Sequence, residues 1–162
     1  MSTDSTQLLE AKSDCQTCAT SLVQKARQRV FFLTQNLEPL LYNNKNICDP
    51  LTRLATSNRQ ADIKIIAHDT RSVASNGHCL INLAQSLPSF VQLRTTVIPV
   101  HKKIRESWLI IDDFAIMRIK NMARYEGYFE IDNKLECRKY IDSFLDIWES
   151  SQADQNTRRL SL

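Results

Sequence analysis

The stretch Ser107-Trp-Leu-Ile-Ile-Asp-Asp-Phe-Ala-Ile-Met117 contains two apolar runs on either side of an Asp-Asp pair. Short apolar runs rich in isoleucine favour buried strands, and acidic residues between two such runs favour a turn. We therefore predict two strands, over residues 108–113 and 114–118, that meet at a tight corner. This hairpin lies in the second half of the chain, and the other predicted elements are arranged around it.

Helices and strands alternate before the hairpin. A first helix is expected to begin at Ser13 or Asp14, and a last helix after the hairpin at Asn133, which forms a capping box with Glu136. The predicted elements follow in the order α-β-α-β-α-β-β-β-β-α. This order predicts parallel strand pairing in the first half of the chain and antiparallel strand pairing in the second. The fold class expected is α/β, with a mixed β-sheet flanked by helices on both faces. The other strands are predicted over 30–34, 61–67, 90–97 and 128–131, and the inner helices begin at Asp49-Pro50 and at Ser75 or Asn76.

The composition is that of an ordinary globular protein. The chain has 162 residues, of which 43% are hydrophobic and 24% charged, so one domain with a real core is expected. A net charge of +3 is too small to indicate nucleic acid by itself. Only two glycines are present, Gly77 and Gly127, which excludes a P-loop, a dinucleotide-binding fingerprint and a G-x-S-x-G nucleophile elbow.

The ends and the cysteines set further expectations. We expect an N-terminal segment over 1–13, one domain over 14–151 and a polar, loosely ordered tail over 152–162. The chain shows no secretory signal and no apolar run long enough to span a membrane, so a cytoplasmic protein is expected.

The five scattered cysteines are then expected to be free thiols. Cys15-x-x-Cys18 lacks a second ligand pair, and neither a metal nor a cofactor is expected.

Three stretches, in this order and spacing, resemble one repeat of the phospholipase D superfamily, over residues 26–151. They are 29–34 with the helix after it, 61–69 with the helix that passes through His78 to Leu87, and 107–117. The last is similar to the strand-turn-strand that holds the superfamily's H-x-K-x4-D motif. The ending Phe144-x3-Trp148-Glu149-Ser150 is similar as well. The resemblance implies a phospholipase D-like half, and active single-repeat members usually pair two copies, which implies a homodimer.

The catalytic motif of that superfamily is degenerate here. The resemblance implies a histidine that attacks phosphorus, a lysine that holds the phosphate and an aspartate that orients the site. Alignment on Asp112 places Arg105 at the histidine position and Ser107 at the lysine position. A guanidinium stays protonated and cannot attack phosphorus. Residues 117–121 stand where the family has a small G-S-x-N segment. The resemblance therefore favours an inactive domain that acts as a binding or regulatory module.

A second hypothesis is that the domain is catalytically active. His101-Lys102-Lys103 satisfies H-x-K literally, although the fifth residue after Lys103 is Trp108 and not an aspartate. A loop could still bring His101 and Lys103 to Asp112, which would make an active phosphodiesterase or nuclease. A third reading is a scaffold that binds a protein partner.

The candidate ligand-binding residues are mostly basic. The segment 94–124 is rich in cations, and guanidinium groups bind phosphate through two hydrogen bonds, so a phosphate-containing ligand or nucleic acid is expected. A solvated surface with local ion pairs is the alternative. His68, Asp69 and His78 lie where the second strand ends and the next helix begins, where anions bind, or else they are structural. The candidates are Arg105, Asp112, Arg118, Arg124 and His78.

Overall fold

A mixed sheet forms the centre of the computed structural model, which describes residues 6–157. The strands are β1 (Thr6–Leu9), β2 (Arg29–Thr34), β3 (Asp62–Ala67), β4 (Val91–Thr96), β5 (Ser107–Ile111), β6 (Ala115–Asn121), β7 (Glu126–Ile131) and β8 (Ser151–Ala153). Their order across the sheet is β1-β7-β6-β5-β2-β3-β4-β8. Strands β2, β3 and β4 are parallel, and the other neighbouring pairs are antiparallel.

Helices cover both faces of this sheet, as predicted. They are α1 (Lys12–Gln24), α2 (Pro39–Tyr42), α3 (Lys45–Ser57), α4 (Arg71–Ala74), α5 (Cys79–Ser86), α6 (Pro99–Lys102) and α7 (Lys134–Glu149). Helices α1, α3 and α5 pack on one face, and α7 packs on the other. None of the helices in residues 6–157 combines the length and hydropathy needed to cross a lipid bilayer.

Strand β2 is apolar along nearly its whole length because it is buried on both faces. Side chains alternate along a strand, so Phe32 faces the α1 side and Phe31 faces α7. The Phe31 ring stacks on Phe144 with centroids 4.5 Å apart, and the Phe32 ring meets Tyr42 edge-on at 5.0 Å. These contacts place β2 in the middle of the domain.

Three helix starts differ from the prediction, and one agrees. Helix α1 begins at Lys12, after Ala11, so the predicted starts Ser13 and Asp14 lie inside it. Helix α3 begins at Lys45, because the Asn44 side chain accepts a hydrogen bond from the Ile47 amide at 3.2 Å, and Pro50 lies inside the helix. Helix α5 begins at Cys79, after the unusual cap His78. The predicted cap at Asn133 is confirmed, since its side chain accepts from the Glu136 amide at 3.0 Å.

Both ends of the described chain contain strands that the sequence did not predict. Strand β1 pairs with β7, from Thr6 opposite Glu130 to Leu9 opposite Gly127. The expectation of a loosely ordered tail is wrong at its start, because Gln152 and Ala153 belong to β8, which pairs with β4. Residues 158–162 of that predicted tail lie outside the described part.

The expectation that all five cysteines are free thiols is wrong for two of them. Cys48 and Cys79 form a disulfide between α3 and α5. The two residues are 31 positions apart, so only the packing of these helices reveals the pair. Cys15, Cys18 and Cys137 are free and buried. Burial raises the pKa of Cys15 to about 11 and that of Cys18 to about 12, which makes both thiols poor nucleophiles.

Asp154 fastens the segment after β8 to the rest of the domain. Only 4% of this residue is exposed. Its Oδ1 accepts a hydrogen bond from the Thr70 hydroxyl at 2.8 Å, and its Oδ2 accepts from the Thr157 amide at 2.9 Å and from the Thr157 hydroxyl. One buried carboxylate therefore joins the end of β8 to the start of α4.

We expect Asp154→Ala to lower the free energy of unfolding by about 2 kcal/mol, because three donors on Thr70 and Thr157 lose their acceptor. Asp146→Ala removes the same charge from an exposed position on α7 and should change stability by less than about 0.5 kcal/mol. Urea denaturation measures both. Equal losses in the two variants would contradict the structural role of Asp154.

Candidate functional site

The ends of four strands meet at one side of the sheet, which we call the carboxyl edge and define as residues 34–38, 67–69 and 96–107. Strands β2, β3 and β4 end there because they are parallel. Strand β5 starts there because it is antiparallel to β2, with Trp108 opposite Leu33. Ligands of open α/β sheets bind beyond the carboxyl ends of the strands, so this edge is the candidate site.

A buried carboxylate, Glu38, lies at the carboxyl edge. It is 8% exposed and has a left-handed backbone, with φ of 39°. Its Oε1 accepts hydrogen bonds from the Gln35 amide at 2.9 Å and from the Ser107 hydroxyl at 3.2 Å. Burial raises the pKa of Glu38, and these hydrogen bonds offset part of the rise. The fully buried Ser107 hydroxyl is thus directed at Glu38.

The side chain of Gln35 fastens the segment before β5 to the end of β2. Its Nε2 donates to the carbonyls of Ile104 at 3.1 Å and Glu106 at 3.3 Å. Its Oε1 accepts from Nη1 of Arg105 at 3.1 Å. Arg105 is exposed, so its guanidinium is oriented by Gln35 while it faces solvent.

His68 holds the same segment from the neighbouring strand. Its Nε2 lies 2.8 Å from the Ile104 carbonyl, and its Nδ1 lies 2.8 Å from the Thr96 hydroxyl. Since a carbonyl only accepts, Nε2 donates to it and Nδ1 accepts from Thr96. Burial lowers the pKa of His68, and the nearby cations, Arg105 first among them, lower it further. A neutral ring with both nitrogens engaged positions the chain and is not free to attack a substrate.

Three cations of the carboxyl edge have no acid partner. Within residues 6–157, Lys102, Lys103 and Arg105 form no ion pair. The nearby Asp69 is bound by Arg71 at 2.9 Å, and this guanidinium holds the pKa of Asp69 down at about 2. The edge can therefore attract an anion. The residues that the structure describes contain no cluster of metal-binding side chains.

The two other arginine candidates differ in their surroundings. Arg118 pairs with Glu106 at 2.6 Å, donates to the Tyr128 hydroxyl and lies 4.5 Å from the centre of the Tyr140 ring. Its side chain is only 13% exposed, so its donors are directed at the protein itself. The Arg124 side chain is 75% exposed and lies 3.9 Å from a Glu126 oxygen, in the turn between β6 and β7.

The structure does not bring Asp112 together with His101 and Lys103. His101 and Lys103 belong to α6 and the residue after it, at the carboxyl edge. Asp112 follows β5 at the opposite edge, and a strand of this length spans roughly 16 Å. The ring of His101 is partly buried, and its Nδ1 has no hydrogen-bond partner within the described residues.

Asp112 ties the end of β5 to the start of β2. Its Oδ1 accepts from the amides of Gln28 at 2.9 Å and Arg29 at 2.8 Å, and its Oδ2 accepts from the Arg27 amide at 2.9 Å. Its own backbone is left-handed, with φ of 53°, as the tight corner predicted from the sequence requires. Each carboxylate oxygen of Asp112 thus has a structural partner.

We expect Asp112→Ala to lower the free energy of unfolding by about 2 kcal/mol, because three amides lose a charged acceptor. Asp113→Ala is the matched control, since this exposed neighbour removes the same charge without those bonds. Chemical denaturation of both variants gives the comparison. If both are as stable as the wild type, the three hydrogen bonds do not hold the corner.

His78 is the remaining candidate, and it is buried at the start of α5. It is 1% exposed, its Nδ1 accepts from the Leu80 amide at 3.1 Å, and its Nε2 donates to the Leu37 carbonyl at 3.0 Å. Burial is the main reason that its pKa is lowered. This geometry gives His78 the capping role that Ser, Asn or Asp usually has.

The lowered pKa of His78 makes the free energy of unfolding depend on pH. Because the unfolded chain binds a proton at this ring more readily than the folded chain, the contribution of His78 is complete above the ordinary histidine pKa of about 6.5 and is lost as pH falls below it. We expect His78→Asn, which can still cap α5, to unfold with a weaker pH dependence between pH 7 and pH 5. Denaturant unfolding at each pH measures the slopes. Parallel slopes for variant and wild type would refute this role.

Gln35 and Glu38 belong to the carboxyl edge, but they were not identified as candidates from the sequence. Both lie in a stretch that reads only as a polar loop, and their partners at 104–107 are about 70 positions away. His68 had a signal, its position at the end of a predicted strand, and the structure places it at the carboxyl edge.

Comparisons with known proteins agree with this fold. A family model described as a domain of unknown function, DUF7931, matches residues 11–160. No protein with a curated description matches the chain. The archaeal chromatin protein TrmBL2, whose structure "shows a novel mode of DNA binding", is 13% identical with a TM-score of 0.67. That similarity covers 95% of this chain and 56% of TrmBL2, so the chain spans little more than half of that protein.

Two further solved structures are similar over almost the whole chain. The phospholipase D family member Nuc from Salmonella typhimurium is 14% identical with a TM-score of 0.62, over 93% of this chain and 97% of Nuc. Phosphatidylserine synthase from Haemophilus influenzae is 14% identical with a TM-score of 0.68, over 100% of this chain and 41% of the synthase. At such identities the likeness shows the fold alone, and the fold is phospholipase D-like.

Proposed function

The chain belongs to the DUF7931 family, and we propose that it is a module that binds phosphate-containing ligands on a phospholipase D-like fold without the catalytic histidine. The proposal places the ligand at the carboxyl edge. It takes Arg105 as the main contact and the exposed Arg124 as a second candidate. The other candidates, Asp112, Arg118 and His78, would act by supporting the fold.

The observation that carries the proposal is the exposed guanidinium of Arg105 at the motif's histidine position. Gln35 orients this group through its side-chain oxygen at 3.1 Å. A guanidinium offers paired donors that match phosphate oxygens, but it has no lone pair with which to attack phosphorus. The motif's lysine position is held by Ser107, which is fully buried and bonded to Glu38. The geometry supports binding in place of cleavage.

The surrounding charge supports the same conclusion. Lys102 and Lys103 are exposed and close in sequence to Arg105, and they have no ion-pair partner among residues 6–157. Cations that neutralise phosphates release counterions, which makes binding strong at low salt and weak at high salt. Nucleic acid is the first polymer to test, because the similar archaeal protein is described as binding DNA.

We expect the protein to bind a fluorescein-labelled oligonucleotide in an anisotropy titration, with affinity that falls as salt rises. Arg105→Ala should weaken this binding about fivefold to tenfold and reduce the slope of log K against log salt by about 1. Arg59→Ala is the matched control, because it removes an exposed arginine near the start of β3, at the opposite edge. Equal affinities for the two variants would overturn the role of Arg105.

A hydrolysis assay on the same preparations tests the alternative activity. The proposal expects no hydrolysis of bis(p-nitrophenyl) phosphate above the buffer rate. Hydrolysis that disappears in His101→Ala would overturn it and would establish the active phosphodiesterase. A protein that binds no phosphate-containing probe but retains a protein partner would overturn it in favour of the scaffold. The homodimer implied by the resemblance stays a prediction, which sedimentation equilibrium would check.

A further inference from the structure

The turn and short helix after β4 expose three branched aliphatic side chains. Val97 is 45% exposed, Ile98 37% and Val100 64%. The other large hydrophobic side chains exposed within residues 6–157 stand alone in the sequence, at Leu8, Leu40 and Leu135. Single exposed hydrophobic residues are common on soluble proteins, whereas a cluster marks a surface that contacts something apolar.

This apolar cluster is held in a defined conformation. Pro99 starts α6, and the Ile98 carbonyl accepts from the amides of His101 at 3.0 Å and Lys102 at 3.2 Å. Beyond α6, His68 and Gln35 fasten Ile104 to the sheet. The segment is thus held at both ends, and we call residues 97–105 the tip.

Cations follow the apolar side chains directly. Residues 97–105 read Val-Ile-Pro-Val-His-Lys-Lys-Ile-Arg and contain no acidic residue. The next acid, Glu106, is engaged by Arg118 at 2.6 Å. The tip therefore combines exposed aliphatic groups with the cations Lys102, Lys103 and Arg105, which form no ion pair within residues 6–157.

The combination of exposed aliphatic groups with cations favours a bilayer surface over a nucleic acid as the phosphate-rich partner. A nucleic acid would engage the lysines but would leave the aliphatic side chains in water, and residues 97–105 include no Phe, Tyr or Trp on which a base could stack. A bilayer surface accepts both features, because aliphatic groups enter the boundary below the headgroups while lysines and arginines meet anionic lipid.

We propose that residues 97–105 dock this domain on an anionic lipid surface. Val97, Ile98 and Val100 enter the bilayer boundary. Lys102, Lys103 and Arg105 contact the phosphate-bearing headgroups. The inference rests on the proposed phosphate-binding edge and names the source of the phosphate, a bilayer lipid.

Co-sedimentation with vesicles tests the inference. We expect binding to vesicles of phosphatidylcholine mixed with phosphatidylglycerol and little binding to phosphatidylcholine alone. The double variant Ile98→Ser/Val100→Ser keeps the charge and should bind the mixed vesicles roughly tenfold more weakly. Lys102→Ala should bind them about fivefold more weakly at low salt. Leu135→Ser is the control, because this side chain is 84% exposed at the start of α7 and lies away from the tip.

Oligonucleotide anisotropy on the same variants separates this inference from the proposed function. Wild-type affinity for the oligonucleotide in the double serine variant, with weakened vesicle binding, supports docking. Oligonucleotide binding that depends on Arg105 without any vesicle binding overturns docking and leaves the proposed function standing. If the double variant binds the mixed vesicles as strongly as the wild type, the proposal that the tip enters the bilayer is wrong. Failure of both probes overturns both proposals.

A second copy of this chain is the remaining candidate partner for the tip. Sedimentation velocity on the wild type and on the double serine variant detects it. A wild-type dimer that the double variant dissociates, together with no vesicle binding, would overturn lipid docking in favour of a second copy.

Discussion

Burial of strand β2 on both of its faces is the constraint on which the rest of the structure depends. Its side chains pack against α7 on one side and against α1 and α3 on the other. Only a central strand can do this, so β2 has a neighbour along each edge, β3 parallel and β5 antiparallel. That mixed pairing makes the end of β2 coincide with the start of β5. The candidate site follows from this coincidence.

Hydrogen bonds from three side chains set the shape of the carboxyl edge. Gln35 and His68 both bind the Ile104 carbonyl, and Glu38 accepts from Ser107. They hold the approach to β5 in place, and Arg105 leaves that approach toward solvent. Under the proposed function, the edge presents a cation where the superfamily motif has a nucleophile. Its chemistry then changes from breaking a phosphate ester to holding one.

Much of the fold could be predicted from the sequence because its signals are local. The apolar runs around Asp112, the alternation of helices and strands and the cap at Asn133 each lie within a few residues of one another. The cations of the edge were also readable as candidates. The sequence left local ion pairs open as an alternative for these cations, and only the structure shows that Arg118 contacts Glu106 and Tyr140.

Most strands, the longer helices and the mixed pairing of the sheet could be predicted from the residues alone, although β1 and β8 could not. Which charged groups remain free of ion pairs, and which residues hold them in place, is visible only in the folded structure. It also joined Cys48 to Cys79 and placed Asp154 in the core. The physical reason is distance along the chain. Hydropathy and turn propensity act between neighbours, whereas ion pairs, buried hydrogen bonds and disulfides join residues that only the packed sheet brings together.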